Sequence, residues 1–129
     1  MAAAVASPAM STKTLGRLGE ELAVAHVERL GWRVVARNFQ TRLGELDLVA
    51  VDGDALVFCE VKTCRAGRRA PWDNLHARKR SQVRRMAGIW LATAGRDRPF
   101  FEEVRFDAIG VTVDAGSALV ALEHLEGAF

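Results

Sequence analysis

At 129 residues, with half of them hydrophobic and 26% charged, the chain has the size and composition of one soluble globular domain and is too short for two. Its formal net charge of +2 is too small to name a partner, and no run approaches the roughly twenty apolar residues that a membrane span needs. Two cysteines, Cys59 and Cys64, exclude a disulfide-rich scaffold and a zinc site built from cysteine alone, and point to a reducing, cytoplasmic setting.

Residues 1–13 carry no basic n-region and too short an apolar run for a secretory signal, so they are read as a flexible tail before a domain over residues 14–129. Leu15, Leu18, Leu22, Ala25 and Val27 then recur at helical spacing as far as Leu30, and Gly31 supplies a C-terminal stop. Gly16 and Gly19 weaken the first turns of this helix by up to about 1 kcal/mol each relative to alanine, which points to close approach of a backbone or a ligand. Glu20 follows them directly and reads either as a solvated carboxylate or as a site residue. His26 has no second metal-type ligand at helical spacing and is read as a surface or packed histidine.

Trp32 to Phe39 reads as the first strand, with Arg37 close to its end, placed either to hold a phosphate or to pair with a carboxylate. Two further apolar runs, Glu45 to Val51 and Ala55 to Lys62, flank Asp52-Gly53-Asp54, the signal of a tight antiparallel hairpin. With the loop centred on Gly53-Asp54, Asp47 lies opposite Glu60 and Glu45 opposite Lys62, all four on one face. Strict alternation also places Val49, Val51, Leu56 and Phe58 on one face and Leu46, Leu48, Val57 and Val61 on the other. Directly opposed Cβ atoms lie about 4.5–5.5 Å apart, so two carboxylates there converge on one cation. A carboxylate in so apolar a sheet is costly unless paired or coordinated, and two together resist ionising without a counter-charge.

Mg²⁺ or Mn²⁺ suits such a pair, since a hard cation takes one or two carboxylates and fills its shell with water and phosphate oxygens. Lys62, two residues beyond Glu60, is placed to hold a phosphate or activate water. The outline is that of a phosphodiester hydrolase; the competing reading is a surface hairpin whose charges form solvated pairs of little worth.

The segment from Thr63 to Asn74, with Gly67, Arg68, Arg69 and Pro71, lacks periodicity and reads as a cationic loop beside Lys62. Leu75 to Ala94 returns to helical spacing, with Val83, Met86, Ala87, Trp90 and Leu91 forming the apolar stripe and Gly95 ending it. Between Lys62 and Arg85 lie nine of the eighteen basic residues and a single acid, Asp73. Lys79, Arg80, Arg84 and Arg85, with Arg68 and Arg69, therefore read as contacts to a nucleic-acid backbone. Phe100 to Val113 gives one long strand or two short ones, Asp114 to Ser117 a turn, and Ala118 to Leu125 a return strand, adding two edge strands. Asp107 reads as a structural hydrogen-bond acceptor, and His124 has no visible catalytic partner.

Gly44-Glu45-Leu46-Asp47-Leu48 followed by Glu60-Val61-Lys62 resembles the PD-(D/E)xK nuclease pattern, and more narrowly the YraN-like family. Further matching blocks are Gly16-x-x-Gly19-Glu20 with Ala23, Arg37-Asn38, Arg78-Lys79, Ala87 to Leu91, and Arg105 to Ile109. Leu46 stands where the superfamily usually has proline, and Arg65 is three residues after Lys62 where the family usually has an arginine two after it. The resemblance implies a restriction-endonuclease-like α/β domain, grouped beside Holliday-junction resolvases, some of which act as homodimers. It also implies that Asp47 and Glu60 are metal ligands, Lys62 the catalytic lysine and Glu20 a helix-borne carboxylate of the same site.

The expectation is thus a mixed sheet of about five strands flanked by helices, in the order α-β-β-β-α-β-β. The expected activity is metal-dependent endonucleolytic hydrolysis of DNA, branched or junction DNA included. The alternative is a non-catalytic nucleic-acid-binding protein that retains the fold.

Overall fold

The computed structural model describes residues 11–67 and 77–129. Helix α1 (Thr12–Arg29) leads into β1 (Arg33–Thr41), β2 (Gly44–Asp52) and β3 (Ala55–Arg65); α2 (Ala77–Ala94) and a short 3₁₀ turn then precede β4 (Glu103–Val113) and β5 (Leu119–Leu125). The five strands form one sheet in the order β1-β2-β3-β4-β5, antiparallel except for the parallel pair β3-β4. This is the expected mixed α/β architecture and element order.

Several details differ from the reading of the sequence. Ser11 caps α1 by accepting the Thr14 N–H at 3.1 Å, so the helix starts at Thr12, inside the segment expected as tail. Residues 1–10 lie outside the described residues. Strand β3 runs on to Arg65 because β4 pairs with it along its whole length, from Ala55 opposite Glu103 to Arg65 opposite Val113. For the same reason, of the last two strands β4 is inner and β5 alone is an edge, opposite the edge strand β1: a parallel partner after a helical crossover leaves no local mark in the sequence.

The hairpin register is the expected one from Leu48 opposite Cys59 to Asp52 opposite Ala55, around the two-residue loop Gly53-Asp54, but the ladder ends there and does not extend to the expected pairs Asp47–Glu60 and Glu45–Lys62. Gly53 takes φ +60°, as the first central position of a type II′ turn requires. Each face of the sheet is covered. Ala23 and Val27 of α1 pack with Trp32, Leu48, Ala50, Val57, Cys59, Ile109 and Val111, whereas Val83, Met86, Ala87 and Trp90 of α2 pack with Leu46, Val49, Leu56 and Phe58.

Leu46 therefore shares a layer with Val49 and not with Leu48, against strict alternation. The neighbouring strand slips at the same level, since Ala36 and Phe39 both pack against the α2 layer. Between these positions stands Asn38 at φ +52°, a left-handed conformation that asparagine tolerates better than most side chains. The β1–β2 pairing shifts by one residue between Val34 and Ala36 and then runs evenly to Thr41 opposite Gly44. The side chains change layer between Ala36 and Phe39 and between Leu46 and Val49, and Asp47 lines a cleft with α1.

Gly19 is buried where α1 crosses β3, and a Cβ there would overlap Thr63 Oγ1 and come within 2.8 Å of its Cβ. At Gly16 an added Cβ meets nothing within 4 Å. Gly19→Ala is accordingly expected to cost about 1–3 kcal/mol by overpacking, and Gly16→Ala to gain up to about 1 kcal/mol from helix propensity. Urea unfolding checks both, and a Gly19→Ala protein as stable as the parent would refute the tight crossing.

Candidate active site

Where β2 and β3 diverge beyond the Leu48–Cys59 pair, a cleft of about 290 Å³ opens against the start of α1. Glu45, Asp47, Glu60 and Lys62 line it from the hairpin, Thr12, Gly16 and Glu20 from α1, and Lys79 from α2. The structure thus brings together Asp47, Glu60, Lys62 and Glu20, and adds Lys79.

Asp47 is 8% exposed and Glu60 3%. Asp47 Oδ2 accepts the Val61 N–H at 2.8 Å, taking a donor that the ended ladder leaves free. Burial and then the nearby Glu60 charge push the Asp47 carboxyl well above the usual range, and the Val61 bond only partly offsets them. Glu60 Oε1 carries two ammonium groups, Lys62 Nζ at 3.4 Å and Lys79 Nζ at 3.3 Å. Glu20 is pushed upward in pKa by burial and by Glu45, while Arg37 and a hydrogen bond with Asn38 hold it back. Asn38 thus both turns the strand and contacts Glu20.

Arg37 forms an ion pair with Glu21 and acts on Glu20 through its charge. It pairs with a carboxylate, as one of its two readings had it, although the partner comes from α1. Lys79, which the sequence offers as a phosphate contact because α2 holds no acid, meets an acidic partner from another element, Glu60 on β3. Arg80, Arg84 and Arg85 are exposed, and Arg84 also lies over the Phe106 ring with its guanidinium carbon 4.6 Å from the centroid. Arg68 and Arg69 lie outside the described residues.

A second polar cluster lies between α1, β4 and β5. Asp107 is fully buried and accepts from Arg105 Nε and Nη2 at 2.9 and 3.1 Å, His124 Nε2 at 2.8 Å and the Gly127 N–H at 3.0 Å. Burial alone would raise its pKa, but the bonds from His124, Arg105 and Gly127 outweigh that and leave it below the usual value. His124 Nδ1 lies 2.9 Å from His26 Nε2, linking the strand to α1 across 98 positions of sequence. This is the partner for both histidines that spacing along one helix does not reveal. Ligand-type atoms of Asp107, His124 and Glu126 come within 4.8 Å of one another, yet Arg105 bonds both Asp107 oxygens and reaches Glu126 at 3.7 Å. The guanidinium already supplies the cation that the cluster needs, so it reads as structural.

The class defined by fold and site is a mixed α/β protein with carboxylates and lysines gathered in a cleft at one end of its sheet. The chain belongs to the uncharacterised protein family UPF0102, whose model matches residues 19–111, in agreement with the YraN-like resemblance. Glu20, Arg37, Asp47, Glu60, Lys62 and Lys79 all fall within that span. A UPF0102 protein of Streptomyces griseus is 46% identical over 114 residues, covering 88% of this chain and 93% of its own length. One from Pelotomaculum thermopropionicum is 42% identical over 119 residues, covering 91% and 96%. No helix among the described residues is long and apolar enough to cross a membrane.

Proposed function

We propose that the protein is a Mg²⁺- or Mn²⁺-dependent endonuclease that hydrolyses phosphodiester bonds in DNA, junction DNA included. The observation that carries this reading is the burial of Asp47 and Glu60 in one cleft with Lys62. A hard dication fits this donor set, because its groups are carboxylate oxygens and the burial and Glu60 repulsion that raise Asp47 are both offset by a shared positive charge. Asp47 and Glu60 would hold the ion, and when bound it polarises the phosphoryl group and steadies the leaving oxygen.

The chain's own groups do the rest. Lys62, held beside Glu60, is placed to take a non-bridging phosphate oxygen or orient the attacking water. Glu20, with its raised pKa, is suited to exchange a proton with that water. The exposed Arg80 and Arg85 on the acid-free α2 support a nucleic-acid partner.

One observation favours a second reading, a non-catalytic nucleic-acid-binding protein: the two lysines on Glu60 already balance charge without a metal. Cleavage of single-stranded, duplex, flap and four-way-junction DNA with Mg²⁺ or Mn²⁺ separates the two. The nuclease reading expects metal-dependent products from at least one substrate, and a loss of at least about a hundredfold in Lys62→Ala without loss of metal affinity. An unaltered rate in Lys62→Ala would retire its catalytic role, and no cleavage of any substrate would leave the binding protein.

A further inference from the structure

Glu60 offers one oxygen, Oε1, to two ammonium groups carried by different elements, Lys62 on the same strand and Lys79 near the start of α2. The Glu60 side chain is 4% exposed, while those of Lys62 and Lys79 are 29% and 24% exposed. The carboxylate is therefore fixed in the sheet, whereas each lysine has a flexible stem and access to solvent. Asp47, Glu20 and Glu45 line the same cleft, so a dication entering it finds Glu60 already partnered.

We propose that Lys79 and the metal exchange places on Glu60: without metal the Lys79 ammonium holds the carboxylate, and metal binding releases it to take a phosphate of the DNA. This rests on the metal-dependent reading above. Two cations beside one oxygen repel, and the one whose backbone belongs to a different element from Glu60 is free to move away. Lys79 leaves and not Lys62 because Lys62 is anchored two residues from Glu60 on the same strand, whereas Lys79 comes from another layer. Binding of metal and of DNA is then coupled through one side chain, and the coupling is reciprocal.

The test uses the full chain with Lys79→Met, which keeps length and loses charge, and Lys79→Arg, which keeps charge. Calorimetry with Mn²⁺ alone should show Lys79→Met binding about three- to tenfold more tightly than the parent, because a competing cation is gone, with Lys79→Arg close to the parent. Anisotropy of a labelled duplex with hydrolysis-resistant phosphorothioate linkages should show that Mn²⁺ tightens DNA binding in the parent. That gain should shrink by about three- to tenfold in Lys79→Met, the worth of one charge-assisted contact. Unchanged or weaker Mn²⁺ binding by a folded Lys79→Met protein overturns the exchange and leaves the nuclease reading intact. Exchange without cleavage of unmodified DNA supports this inference and removes the nuclease. A parent that binds no Mn²⁺ overturns both.

Discussion

Asp47→Asn is expected to make the metal-free protein more stable at neutral pH, by about 1–3 kcal/mol, while removing its metal affinity. The parent buries a carboxyl whose pKa is raised in the folded state by burial and by Glu60. A group of that kind favours folding fully below the ordinary aspartate range, and its contribution is lost as pH rises through the folded value. Asparagine does not titrate, and its amide oxygen still accepts the Val61 N–H. In chelator, the difference in melting temperature between variant and parent should therefore widen as pH rises from about 4 toward neutrality. Mn²⁺ at a thousand times its Kd should reverse the order, since it stabilises by about 4.1 kcal/mol and only the parent gains it. A variant less stable than the parent in chelator at neutral pH would contradict the placement of a strained carboxyl there.

Asp107→Ala is expected to have the opposite character, costing about 3 kcal/mol or more with no metal involved. The carboxylate is fully buried and satisfies Arg105, His124 and the Gly127 N–H together. Removing it leaves the part-buried Arg105 guanidinium, 5.1 Å from the Trp32 ring, with only the more exposed Asp52 and Glu126, and takes the carboxylate partner from the His124 ring packed against the same tryptophan. Because its pKa is lowered in the folded state, the parent's gain is present above the ordinary aspartate range and fades as pH falls through the lower folded value. Urea midpoints measure this: the Asp107→Ala deficit should be full at pH 7 and shrink under strong acid. A deficit below about 1 kcal/mol at pH 7 would show that the cluster contributes little.

The hairpin was legible because its cause is local. Gly53-Asp54 sets the loop, the loop sets the register, and charges inside apolar strands stand out wherever they occur. The partners of Lys79, His26 and His124 come from contacts that spacing cannot show. Lys79 meets Glu60 only because the chain crosses from β3 through α2, and His26 meets His124 only because β5 returns beside α1. Asn38 matched the family as a residue, yet its left-handed conformation stands where the strict alternation on which face assignment depends is broken, Leu46 lying in the same layer as Val49. Its one outward sign was an asparagine inside a strand, a residue depleted there and favoured at positive φ.

The most direct measurement of the central claim is a calorimetric titration of Mn²⁺ into the parent and into Glu60→Gln, both shown to be folded. Glu60→Gln deletes a ligand charge with little change of volume and also releases Lys62 and Lys79 from their shared oxygen. A dication held by Asp47 and Glu60 gives saturable binding in the parent and at least about a tenfold weaker isotherm in the variant. Equal Mn²⁺ affinity in the two proteins would contradict it.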